Sequence, residues 1–205
     1  MTKKQFRIIE QETPFNGFFK VKKYTLEHTL YNGGWSSPVS REVFHRGNCV
    51  GVILYDPKLD EVVIIEQFRA GAILQPQQED AWLLEIVAGA MEDGETAEAV
   101  AKREALEEAG CEIMDLIKIN EFFTSPGGTS ECLTLFCGRV DAKNVGGIHG
   151  LDHEDEDIAV TSMKFDEVYA LMEQGRIISA IPIIAIQWLY IHRQQLQQKW
   201  LEIRT

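Results

Sequence analysis

The chain has 205 residues, of which 45% are hydrophobic, and a formal net charge of −12. These figures fit one sizeable globular domain with at most a small appendage, and they exclude a disordered chain. A balance this acidic argues against nucleic-acid or anionic-membrane partners, which need a basic surface, but it leaves room for an anionic small substrate where a bound metal inverts the local field.

The opening MTKKQFRIIEQE has no apolar stretch of the kind that directs secretion. Cys49, Cys111, Cys132 and Cys137 lack the paired spacing of a metal site and read as reduced, mostly core thiols. Both features predict a cytoplasmic protein. Residues 6–45 alternate apolar and polar positions in several short stretches, which predicts an antiparallel sheet with turns at Asn16-Gly17 and Asn32-Gly33. We expect the segment 1–47 to form a small β domain and 48–205 the main domain. Residues 49–55 and 61–67 read as a hairpin turned by Asp56-Pro57-Lys58, and 82–88 as a short apolar run.

A helix follows. Thr96 is placed as its N-cap, Glu98 suits the positive end of its dipole, and Gly110 sits where the left-handed terminating glycine belongs. At about 100° per residue, Glu104 and Glu108 fall side by side among Ala97, Val100, Ala101 and Ala105, with Glu107 at the edge. A solvated helix would place its carboxylates opposite such a stripe. Adjacent carboxylates raise one another's pKa unless a cation lies between them, and a hard divalent ion such as Mg²⁺ answers that need.

Beyond the helix, Phe122-Phe123 leads into the loop TSPGGTSE, and 132–140 reads as a strand. Residues 146–157 read as a long glycine- and acid-rich loop without an element of its own. A short helix over 166–174 stops at Gly175, and a long helix starts at Ser179, with Pro182 tolerated in its first turn. The most apolar run, 180–191, is too short to span a bilayer and is interrupted by Gln187. Strands, a helix, more strands and a last helix make an α+β protein.

From Gly89 to Cys111 the chain runs GAMEDGETAEAVAKREALEEAGC. This resembles the Nudix box, Gly-x5-Glu-x7-Arg-Glu-U-x-Glu-Glu-x-Gly-U, with U a bulky apolar residue. Gly89, Glu95, Arg103, Glu104, Glu107, Glu108 and Gly110 fill every fixed position, and only the U positions, Ala105 and Cys111, depart from the pattern. The resemblance implies the Nudix fold, a mixed β-sheet sandwich between helices, and the attack of water on the diphosphate of a nucleoside diphosphate compound. Outside the box, GFFKV (17–21), SREVFHRG (40–47), VVIIEQFR (62–69), WLLEIVAGAMEDGE (82–95), SPGGTSE (125–131), GIHGLDHEDEDI (147–158) and AIQWL (185–189) resemble the ADP-ribose pyrophosphatase branch of that family.

The resemblance implies the following roles. Glu104, Glu108 and the backbone carbonyl of Ala88 hold metal, and Glu156 adds a ligand to a further ion. The metal is Mg²⁺, two or three ions, with Mn²⁺ as a substitute. Glu154 is the general base; Arg103 and Glu107 act in catalysis, while Gly89, Glu95 and Gly110 support the box. Phe18, Arg41, Arg69 and Glu131 contact ADP-ribose. Taken alone, the run 152–157 reads as a solvated acidic loop, Phe18 as a core residue of a strand, and Gly127-Gly128 as a turn. The resemblance further implies a homodimer with shared active sites and an exchanged N-terminal domain. Other ADP-sugars, GDP-mannose and oxidised nucleoside triphosphates are alternative substrates. A non-catalytic ADP-ribose sensor is the alternative from another class, disfavoured by the intact box.

Overall fold

A computed structural model describes residues 3–74 and 81–201. They form two compact units: the chain up to Asn48 together with Phe122–Leu133, and Cys49–Glu121 together with the chain from Thr134 onward.

The first unit carries a three-stranded antiparallel sheet of β1 (Phe6–Asn16), β2 (Lys20–His28) and β3 (Val39–His45), in that order. Gly17 turns the first connection, and Gly33 and Gly34, at φ 89° and 79°, turn the second, as the sequence predicts. β1 is exposed at every residue, including Phe6, Ile8, Ile9 and Phe15.

The larger sheet contains β4 (Cys49–Asp56), β5 (Glu61–Phe68), β6 (Trp82–Glu85), β7 (Val87–Ala90), β8 (Asp115–Phe123), β9 (Cys132–Arg139), β10 (Gly146–His149) and β11 (Ile158–Lys164). Its main path runs β10-β11-β5-β4-β9-β8. Every residue of β4 is buried, which explains its unbroken apolar run. β4 and β5 pair only near their turn, from Leu54↔Val63 to Asp56↔Glu61. Farther from it β6 pairs with β5 and β7 with β4. The short run over 82–88 thus holds parts of two strands, broken at Ile86 so that each half serves a different partner.

Residues 146–157 need a second correction. Gly146–His149 is a strand, antiparallel to β11, and Asp152–Glu154 forms one 3₁₀ turn. Gly147 and Gly150 take φ of 100° and 103°, so residues that look like loop are what let the chain turn tightly here.

Three helices complete the fold: α1 (Ala97–Ala109), α2 (Phe165–Glu173) and α3 (Ala180–Leu201). α1 buries Val100, Ala101, Ala105 and Ala109 in one core with Val50, Val52 and Phe136. The larger apolar side chains there contribute about 1.5–3 kcal/mol each. α3 is fastened by Arg193, which bonds both carboxylate oxygens of Asp60, pairs with Asp166 and lies over the Phe165 ring. Tyr55 O–H also donates to Asp60, at 2.6 Å. Among the described residues no helix is long and apolar enough to cross a membrane.

Candidate active site

Both ends of α1 are built as its sequence predicts. Thr96 Oγ1 accepts from the Ala99 N–H at 3.2 Å, and Gly110, at φ 63°, donates to the carbonyls of Ala105 and Leu106. Glu104 and Glu108 consequently lie one turn apart on the buried side of the helix, 9% and 2% exposed. The Ala88 N–H of β7 donates to Glu108 Oε2 at 2.9 Å. Glu104 lies against Gly89: a Cβ there would stand 1.7 Å from Glu104 Oε1. Gly89 is thus required for close approach of strand and helix, not for backbone freedom.

Arg103 ties Glu104 to two other acids of the box, Glu95 and Glu107. Its guanidinium donates to Glu95 (3.1 Å), to Glu104 Oε1 (2.8 Å) and to Glu107 Oε2 (3.0 Å), and it reaches the Ala90 carbonyl at 3.3 Å. Glu95 also accepts from the Glu92 N–H at 2.9 Å. The bond from Arg103 holds the Glu95 carboxyl below its ordinary range, and Glu95 in turn raises the Arg103 pKa.

Electrostatics separate the two central acids from the rest. Burial pushes Glu108 up to about 8, against the pull of the Ala88 N–H, and the charges of Glu104 and Glu156 add to the rise. Burial also raises Glu104, with Glu107 and Glu156 contributing and Arg103 opposing. Glu156, in the turn between β10 and β11, is therefore close enough to act on both. Its Oε2 accepts from the Leu151 N–H at 3.3 Å. Glu154 is exposed and has its neighbour His153 at 3.8 Å.

These donors suit a hard divalent cation: all are oxygens, and two are buried carboxylates whose charge the surroundings disfavour. Among the described residues no three Asp, Glu, His or Cys side chains already converge as a ligand cluster. Instead Glu104, Glu108 and Glu156 each have one oxygen held by an N–H donor. The carboxylates are oriented by the protein, and the donor chemistry fits the ion.

Arg69, at the end of β5, donates through Nε to Glu85 Oε2 at 2.6 Å, and its charge also acts on Glu108. Glu85 is buried and was not singled out from sequence; it stands opposite Ile65 in the β5–β6 ladder, so the Arg69 side chain reaches back along the ladder to meet it.

Within the first unit, Glu131 accepts from Thr124 Oγ1 at 2.7 Å and pairs with Arg46 at 3.2 Å. Arg46 lies over the Phe19 ring, which meets Phe18 edge-on at 4.8 Å. Phe18 is 94% exposed, so it is not a core residue of its sheet. Arg41 is exposed and donates to the Ser40 carbonyl. The Ser125–Thr129 turn, which holds Gly127 and Gly128, is tied to β3 by the Phe44 N–H donating to the Gly128 carbonyl. Arg46 is a further residue that sequence reasoning missed, although it lies in the quoted stretch SREVFHRG.

The model of the NUDIX domain matches residues 45–181. The chain belongs to the Nudix family. It is 44% identical over 198 residues to an ADP-ribose pyrophosphatase of Escherichia coli (strain K12), covering 97% of this chain and 94% of that protein. It is 34% identical over 185 residues to a GDP-mannose pyrophosphatase of Yersinia enterocolitica serotype O:8, covering 90% and 94%. A crystal structure described as an ADP compounds hydrolase superposes with TM-score 0.69 over 95% of this chain and 96% of that one, at 18% identity. That last likeness shows a shared fold.

Proposed function

We propose that this Nudix protein hydrolyses the diphosphate of ADP-ribose, giving AMP and ribose 5-phosphate, with Mg²⁺ as its metal. The observation that carries the reading is the pair of buried carboxylates, Glu104 and Glu108, held beside Ala88 and Gly89 inside a complete box. Similarity along almost the whole chain to ADP-ribose pyrophosphatases supports the substrate. Glu104, Glu108, the Ala88 carbonyl and Glu156 would hold two or three ions. When bound, these supply charge neutralisation of the diphosphate and activation of water.

The protein's own residues do the rest. Arg103 fixes the rotamers of Glu104 and Glu107, so the carboxylates are ordered before substrate arrives. Glu154 takes the proton of the attacking water as a P–O bond of the anhydride breaks. Glu154 is exposed, and closure of its turn during turnover would bring it to the attacking water. Arg69 and Arg41 bind phosphate or nucleotide oxygens, Glu131 the terminal ribose, and Phe18 stacks on adenine. The exposure of Phe18 leaves its ring free to stack.

Two copies of the chain would complete the sites, with residues 1–47 serving as the exchanged domain. The exposed apolar side chains of β1, Phe6, Ile8, Ile9 and Phe15, support such a partner. The GDP-mannose pyrophosphatase relatives support a second reading, in which another nucleoside diphosphate sugar is the better substrate.

The test is turnover and unfolding of Glu104→Gln and Glu108→Gln. Either change should lower turnover of ADP-ribose by orders of magnitude while the protein still unfolds cooperatively. Near-normal turnover in either would refute the proposed centre.

A further inference from the structure

The acidic turn between β10 and β11 is fastened to the far end of the box helix. His149 packs over Gly110: a Cβ on that glycine would lie 2.7 Å from His149 Cε1 and 3.3 Å from Nδ1. The ring is held there by its own backbone, His149 Nε2 lying 3.1 Å from the Gly146 carbonyl oxygen. The next residue, Gly150, donates its N–H to the Glu107 carbonyl at 3.3 Å. That carbonyl is in the last turn of α1, where the helix leaves its final carbonyls without helical partners.

From this seat the chain reaches Glu156 through a short path. Leu151 gives its N–H to Glu156 Oε2 (3.3 Å), while its carbonyl accepts from the N–H groups of Glu154 (2.9 Å) and Glu156 (3.4 Å). Gly150 leaves no room beside Glu156: a Cβ on it would stand 2.7 Å from Glu156 Cβ and 2.9 Å from the Glu156 carbonyl oxygen. At φ 103° the position is also one that other residues rarely adopt.

We propose that His149 and Gly150 are positioning residues: they seat the acidic turn on the C-terminal end of α1 and thereby bring Glu156 to Glu104 and Glu108. Gly110 then has two duties, ending the helix in the left-handed conformation and leaving the space that His149 fills. Neither His149 nor Gly150 touches substrate in this account; they act through Glu156. This inference rests on the reading of Glu104, Glu108 and Glu156 as the metal-binding acids.

The experiment compares His149→Ala with Ile148→Ala. Ile148 precedes His149 in the same strand and is 70% exposed, so its loss weakens β10 without touching the seat. Two readouts are taken: Mn²⁺ binding followed by electron paramagnetic resonance without substrate, and the Mg²⁺ dependence of turnover. His149→Ala should weaken Mn²⁺ binding and raise the Mg²⁺ requirement about tenfold or more, the loss expected when a support of a ligand is removed. Ile148→Ala should match the unaltered protein in both. Gly150→Ala should reproduce the His149→Ala defect by displacing Glu156 directly, and it carries the test where His149→Ala fails to unfold cooperatively. Equal, unaltered metal binding in His149→Ala and Gly150→Ala would overturn the seat. Retained metal binding and turnover in Glu108→Gln would instead overturn the metal reading on which it depends.

Discussion

Ala88 and Glu108 are joined from strand to helix by a single bond, the Ala88 N–H donating to Glu108 Oε2 at 2.9 Å. The bond does not offset the burial of the carboxyl, which stays protonated up to about pH 8. In the metal-free protein Glu108 therefore keeps a proton that the unfolded chain releases near its ordinary pKa of 4.5. Between those values the native state binds more protons than the unfolded state, so this group makes stability fall as pH rises. Thermal unfolding with a chelator should show the melting temperature dropping by several degrees across that window. Glu108→Gln should flatten the drop. Mg²⁺ should raise the melting temperature more at the upper end than at the lower, because metal competes there with fewer protons. Identical pH profiles for the unaltered protein and Glu108→Gln would contradict the assignment.

Gly89 is the tightest position of the site. A methyl group there cannot coexist with Glu104 in its present place, since the added carbon would lie 1.7 Å from Oε1. Gly89→Ala should lower turnover about a hundredfold by displacing Glu104. Its cost in stability should be about 1–3 kcal/mol, as for other overpacked sites. Activity and denaturant unfolding measured together check this. Turnover close to normal would show that Glu104 can work from elsewhere.

Glu154 and Glu156 can be told apart by metal titration. A general base affects the chemical step, whereas a ligand changes the metal dependence. Glu154→Gln should lower turnover strongly with little change in the Mg²⁺ concentration for half-maximal rate. Glu156→Gln should be milder and partly rescued by excess Mg²⁺, as its electrostatic coupling to Glu104 and Glu108 suggests. If Glu156→Gln is the more severe and metal-insensitive change, the two roles exchange.

Shared sites make a prediction about mixed dimers. Co-expressed Glu108→Gln and Arg41→Ala chains, each inactive alone, should recover activity, because one of the two hybrid sites is intact. Verified heterodimers with only the summed residual activities of the parents would exclude a site built from two chains.

The box helix was legible in the sequence because its determinants are local: a cap at Thr96, a left-handed stop at Gly110 and two acids placed within an apolar stripe. The β4–β5 hairpin was legible for the same reason, its turn residues lying between two apolar runs. β10 was not, since its glycines resemble loop and its pairing depends on β11, farther along the chain. The break at Ile86 was hidden because no glycine, proline or other turn residue interrupts the run over 82–88, although its two halves join different partners. The pairs Arg69–Glu85 and Arg46–Glu131 needed the folded chain, for nothing in their local sequence announces them. The burial of Glu104 and Glu108, by contrast, followed from helical periodicity alone.

ADP-ribose is the substrate proposed for this Nudix site. The most direct measurement is a comparison of kcat/KM for ADP-ribose, other ADP-sugars, GDP-mannose and nucleoside triphosphates with Mg²⁺, resolving the products of each. The highest kcat/KM should be that for ADP-ribose, with AMP and ribose 5-phosphate formed in equal amounts. A clear preference for GDP-mannose or a triphosphate, or binding of ADP-ribose without products, would contradict it.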